Sequence, residues 1–210
     1  HKSNASFADE NTIHPEASST SELVYELMDP DKISKEVAEC IYLGIVHDTG
    51  VFQYSCTSSK TMSIAGALMD RGIDYSAIIN DTFFAKTFEQ NRILGHALLK
   101  ARRYMEDRCI YTCITKEEME QFHVLPKHLE GIVSQLRATK DVEVAVFLYQ
   151  SDTEDFKVSM RSGNLVDVSE IAVKYGGGGH AKAAGVTMKG TEEEIRDLIL
   201  ADIASVLENV

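Results

Sequence analysis

Arg108-Cys-Ile-Tyr-Thr-Cys-Ile-Thr115 reads as a β-strand, and the texture around it decides the fold. Val142-Glu-Val-Ala-Val-Phe-Leu-Tyr149 and Phe156-Lys-Val-Ser-Met160 read the same way, each rich in β-branched and aromatic residues. Helical spacing predicts helices over Leu129–Ala138, Val168–Lys174 and Thr191–Leu207. The acidic run Glu192-Glu-Glu194 opens the last of these and suits its dipole. Strands mixed with helices over about 100 residues give an α/β or α+β domain with its own core, placed at 108–210.

Upstream the texture is helical. Ser19 precedes Glu22 at capping-box spacing, and Leu23, Val24 and Leu27 follow as an apolar stripe. Asp31–Val46 repeats the pattern through Ile33, Val37, Cys40, Ile41, Gly44 and Ile45, and stops near Asp48-Thr-Gly50. Thr57–Asp70 is a third helix, ended by Arg71-Gly72. Residues 74–105 read as further helix, with a polar stretch from Thr87 to Arg103. The expected division is therefore 1–85, a helical linker at 86–107, and 108–210.

The 210 residues carry a net charge of −12, which argues against binding duplex nucleic acid through a broad basic face. A short anionic ligand stays compatible, because a few arginines or a helix end can hold one phosphate locally. No apolar run approaches the ~18 residues that span a bilayer, and the polar His1–Glu10 does not resemble a signal peptide. The chain lacks an initiator Met, so it is expected to begin part-way through a longer protein. Cys40, Cys56, Cys109 and Cys113 form no Cys-x-x-Cys pair and are expected to be reduced thiols in a cytoplasmic protein.

The chemistry concentrates in Tyr175-Gly-Gly-Gly-Gly-His-Ala-Lys-Ala-Ala-Gly185. Four consecutive glycines cost backbone entropy and are kept where backbone approaches something closely or where amides must face a ligand. His180 follows at once, with Ala181, Ala183, Ala184 and Gly185 keeping the next segment slim. The competing reading is a flexible linker, which packed segments on both sides disfavour. Arg161, in Met160-Arg-Ser-Gly163, ends a strand and suits two-point contact with phosphate. Alone it would be a surface arginine. Asp48, in His47-Asp-Thr-Gly50, is either a metal ligand or a helix-end Asx turn with Gly50. His1-Lys-Ser-Asn4 says nothing by itself.

Together these stretches resemble the DHH phosphoesterase family with its DHH-associated C-terminal domain. His1-Lys-Ser-Asn4 with Phe7-Ala-Asp9 looks like the end of the Asp-His-His triplet and the residues after it. Gly44-Ile-Val-His-Asp-Thr-Gly50 looks like the last metal-binding motif. Arg161-Ser162, Val166–Ala172 and Gly176–His180 look like the hallmark of the associated domain.

The resemblance implies the C-terminal part of a parallel-sheet catalytic domain, then a smaller mixed α/β substrate-binding domain. It implies hydrolysis of short oligoribonucleotides, dinucleotides or 3′-phosphoadenosine 5′-phosphate. Two manganese ions, with magnesium as the substitute, would activate water. Asp48 would be a catalytic metal ligand and His1 would face the scissile phosphate. Arg161, Ser162, Gly176, Gly177, Gly178, Gly179 and His180 would bind substrate. A homodimer is allowed; duplex nucleic acid and membranes are not expected partners.

The family's earlier motifs, and the first two residues of the triplet, are absent here. The 210 residues are therefore expected to be inactive alone. Alternatives are a cyclic-dinucleotide phosphodiesterase on the same scaffold, and a noncatalytic nucleotide-binding module. An exopolyphosphatase would leave the Gly-run domain unexplained, and a single-strand exonuclease is disfavoured by the acidity.

Overall fold

The structure, a computed structural model, describes residues 9–11 and 13–208. His1 therefore lies outside the described residues. The chain divides into two units, residues 1–85 and 86–210.

In the first unit the described elements are helical: α1 Thr20–Leu27, α2 Lys35–Asp48, α3 Ser59–Met69 and α4 Tyr75–Ile79, the last running into a π-helical turn at Asn80–Phe84. Ser19, Ser34, Ser58 and Asp74 cap these helices, each side chain accepting the backbone N–H of the third residue on. Such caps stabilise a helix by about 1 kcal/mol each. Ile41, Tyr42 and Ile45 of α2 pack with Ile64, Ala65 and Leu68 of α3 to form the core.

The α1 stripe departs from the sequence reading. Val24 and Leu27 are exposed, at 43% and 75%, while Glu22 is buried at 3%. Ser19 does accept the Glu22 N–H at 3.0 Å. The Glu22 carboxylate instead accepts from the Ser18 hydroxyl and from Thr61 Oγ1, the latter at 2.7 Å. A buried carboxylate needs donors, and α3 supplies one that the helix spacing of α1 cannot reveal.

The second unit is a six-stranded sheet in the order β1-β2-β3-β4-β6-β5. Its strands are β1 Arg102–Tyr104, β2 Cys109–Ile114, β3 Val144–Gln150, β4 Asp155–Ser162, β5 Gly178–His180 and β6 Ala183–Lys189. Among the described residues only β2 and β3 pair in parallel. The helices are α5 Phe88–Lys100, α6 Lys116–Gln121, α7 Ile132–Arg137, α8 Val168–Lys174 and α9 Glu192–Leu207.

Every residue of β2 is buried because both its faces are covered. Cys109, Tyr111 and Cys113 join Val168, Ile171, Ile195 and Ile199 of α8 and α9. Ile110 and Ile114 join Ile93, Ala97 and Leu136 of α5 and α7. This is the burial of a central parallel pair. Burial pushes the Cys109 thiol up to about 12, so it stays protonated and inert near neutrality.

Three further departures have physical causes. The stretch read as a helical linker, 86–107, holds α5 and the edge strand β1. Ile93 and Ala97, one helical turn apart, are fully buried against the sheet. The helix expected over Leu129–Ala138 is broken at Gly131, whose φ of +89° begins α7 only at Ile132. The Gly run, read as a loop, enters a hairpin of β5 and β6. Glycine and alanine are poor strand formers, so propensity does not reveal these strands. Among the described residues, no helix is long and apolar enough to cross a membrane.

Candidate nucleotide-binding face and metal ligand

Strand register brings Arg161 and His180 onto one face of the sheet. Arg161 of β4 lies opposite Ala183 of β6, and Ala183 lies opposite His180 of β5. The next row on the same face is Ser159, Gly185 and Gly178. Directly opposed residues project to the same side, and adjacent strands are ~4.8 Å apart, so Arg161 and His180 stand about 10 Å from each other. Between them the floor is a methyl group and two glycines. Phe156, Val158 and Met160 point the opposite way, into the core with α8 and α9. Arg161 is half-buried and one guanidinium nitrogen donates to Met160 O at 3.0 Å, which steadies it. His180 is exposed. A flat strip of small residues with a guanidinium on one side and an imidazole on the other can seat a planar ring and hold an attached phosphate.

The four glycines divide by what each must avoid. Gly176 follows the end of α8 with φ +82°, and the N–H groups of Gly176 and Gly177 donate to Val173 O and Ala172 O. This is a glycine helix stop, and it spends both amides. A Cβ on Gly177 would lie closer than 3.0 Å to Gly185 O and Val186, and one on Gly179 would lie as close to Ala183 O and Ala184. The close approach that the run permits is therefore to β6. Only Gly178 combines an ordinary φ with open space where its Cβ would be.

Ser162 is buried, and its hydrogen bonds run to the hairpin tip. Its N–H donates to Lys182 O and its hydroxyl to Ala181 O, both at 3.1 Å. It adjoins Arg161 without presenting a free hydroxyl to the open face.

In the first unit Asp48 is the last residue of α2 and is exposed. Among the described residues its carboxylate has no hydrogen-bond or ion-pair partner. The helix end is tied by Thr49, which donates to Ile45 O at 2.6 Å and accepts from Phe52 N at 3.1 Å. The Asx turn that competed with a metal role is thus not formed by Asp48. His47 beside it meets Thr82 Oγ1 at 3.0 Å and the Phe83 ring edge-on at 5.6 Å. Among the described residues, no group of three or more His, Cys, Asp or Glu side chains could hold a metal ion. The described residues therefore do not by themselves assemble a two-ion site.

A cavity of about 540 Å³ lies at the other end of the strand order, among Ala101, Arg102, Tyr104, Tyr111, Glu192 and Arg196. None of the candidate site residues read from the sequence lines it. Ser159 was missed by sequence reasoning, and Gly185 was read only as keeping its segment slim. Carrying the β4 alternation back from Arg161 reaches Ser159, but the pairing with β6 that adds Gly185 has no local signal.

Residues 107–209 match the family model of the DHHA1 domain. It is 30% identical over 196 residues to the bifunctional oligoribonuclease and PAP phosphatase NrnA of Bacillus subtilis, covering 91% of this chain and 61% of that protein. The protein of the same name from Thermus thermophilus is 28% identical over 199 residues, covering 91% of this chain and 58% of that one. A solved exopolyphosphatase-related protein from Bacteroides fragilis superimposes with a TM-score of 0.90 at 33% identity, over 100% of this chain and 62% of the other. The chain thus spans about 60% of the length of the curated relatives it matches.

Proposed function

We propose that these residues belong to a metal-dependent hydrolase of phosphate esters. Its substrates are short oligoribonucleotides, dinucleotides or 3′-phosphoadenosine 5′-phosphate. The second unit grips the terminal nucleotide. The observation that carries this reading is the row Arg161–Ala183–His180 above the row Ser159–Gly185–Gly178. A guanidinium offers a planar fork to a phosphate, and the imidazole adds a donor or a stacking surface on the other side. The small floor lets a base or ribose lie close to backbone. Gly178 is the glycine of the run placed to meet ligand, while Gly176, Gly177 and Gly179 build the hairpin that carries it. Ser162 acts from behind this face.

Asp48 is assigned as one ligand of a divalent-ion site, for manganese or magnesium, whose remaining ligands are not among the described residues. Its exposed carboxylate at a helix end, without a partner among the described residues, fits that role. His1 keeps its assignment next to the scissile phosphate by resemblance alone. The names of the Bacillus and Thermus relatives support the substrate classes. Four free cysteines support a cytoplasmic location.

The test is calorimetric titration of the 210-residue chain with adenosine 5′-monophosphate, together with a manganese assay on a short RNA. Binding without turnover is expected. Arg161→Ala and His180→Ala should each weaken binding by roughly ten- to a hundredfold, the loss of a charge-assisted contact. Arg161→Lys should be nearly as damaging as Arg161→Ala, because an ammonium cannot reproduce the two-point fork. Unchanged affinity in both alanine variants would sink the reading.

A further inference from the structure

We propose that Glu143 is a positioning residue that fixes His180 beside Arg161 through a chain of hydrogen bonds. This rests on the nucleotide-binding reading of the Arg161–His180 face. Glu143 immediately precedes β3, and its own N–H donates to Arg108 O at 2.7 Å. Its carbonyl accepts the Gly163 N–H at 2.9 Å, and its Oε1 accepts the N–H groups of Leu165 and Val166 at 2.7 and 3.3 Å. Among the described residues this half-buried carboxylate forms no ion pair. It is spent on the backbone of the turn that follows Arg161. Gly163 has no side chain to obstruct this, since a Cβ there would lie closer than 3.0 Å to Glu143 Oε2.

The segment so held grips the hairpin tip in turn. Ala181 O accepts from both Ser162 Oγ, at 3.1 Å, and Val168 N, at 2.9 Å. Lys182 O accepts from Ser162 N at 3.1 Å, and Lys182 Nζ donates to Asn164 Oδ1 at 2.8 Å. Arg161 precedes this segment directly, and His180 precedes the tip directly. Both ends of the nucleotide-binding row therefore hang on residues 162–168, and Glu143 is the charged acceptor that holds their turn. Charged acceptors form the stronger hydrogen bonds, so this is the joint whose loss should loosen the rest.

The experiment compares Glu143→Ala, Glu143→Gln and Ser162→Ala in the 210-residue chain. It reads adenosine 5′-monophosphate affinity by NMR and amide exchange at Ser162 and Val168. Glu143→Ala should weaken binding by about tenfold and speed exchange at both amides. Glu143→Gln keeps a carbonyl oxygen for Leu165 and Val166 and should restore affinity to within roughly threefold. Ser162→Ala should speed exchange at Val168, whose acceptor Ala181 is shared, even if Glu143→Ala fails to fold. A folded Glu143→Ala with wild-type affinity and unchanged exchange at Val168 overturns the proposal. So does Ser162→Ala with unchanged exchange at Val168. Failure of the nucleotide reading shows differently, as an Arg161→Ala variant that binds normally.

Discussion

The end of α2 and the β4–β6–β5 face present candidate site side chains in opposite ways. Helix α2 delivers one carboxylate, Asp48, to an exposed end where no described residue meets it. The sheet face delivers Arg161 and His180 in one row, 19 residues apart in sequence, because antiparallel register aligns both with Ala183. A helix end contributes one point of a site and depends on other elements for the rest. A strand ladder sets spacing, direction and floor together. This explains why half of the proposed machinery can be described from these residues and half cannot.

The largest effect that separates the two regions is expected at Asp48. In full-length protein Asp48→Ala should lose turnover by on the order of a hundredfold or more, as for a lost metal ligand. Nucleotide affinity of the second unit should stay unchanged. Normal turnover with normal manganese stoichiometry would show that Asp48 is only a helix end.

The glycines sharpen the account of the sheet face. Gly179→Ala forces a side chain to φ +148° and against Ala183 and Ala184, and should cost about 1–3 kcal/mol of stability. Gly177→Ala meets Gly185 O and should behave similarly. Gly178→Ala should unfold within about 0.5 kcal/mol of wild type while weakening nucleotide binding. Thermal denaturation with parallel titration separates the three, and equal destabilisation by all would contradict the division of roles.

The smallest expected effect concerns Glu118 of α6, which meets His96 at 2.8 Å and Lys100 at 2.6 Å on α5. Burial acts to raise this carboxyl, but the hydrogen bonds from Lys100 and His96 outweigh it and hold the group below its ordinary value of 4.5. A depressed folded value means that the contribution is complete above pH 4.5 and is lost as pH falls through the folded value. Denaturant midpoints from pH 7 to 3 should fall less steeply for Glu118→Gln than for wild type. Identical slopes would remove Glu118 from the acid response.

Much of the second unit was legible because its signals are local. Val168–Lys174 is helical over the residues its spacing predicts, and Thr191 caps α9 ahead of the acidic first turn. Arg161 and the Gly run stood out by residue type. Their juxtaposition did not, since the Gly and Ala residues of β5 and the start of β6 disfavour strands and pair through non-local contacts. Nor could spacing show that Gly176 and Gly177 spend their amides on α8, or that Ser162 faces the hairpin tip. In the first unit α1 looked like an apolar stripe because its partner for Glu22, Thr61, lies 39 residues away.

The central claim is that one face of β4, β6 and β5 holds the nucleotide. The most direct measurement is a ¹⁵N chemical-shift titration of the 210-residue chain with adenosine 5′-monophosphate. Saturable shifts should concentrate at Ser159, Arg161, Gly178, His180 and Gly185. Shifts centred instead on Tyr104, Tyr111 and Arg196, around the cavity at the opposite end of the sheet, would contradict it.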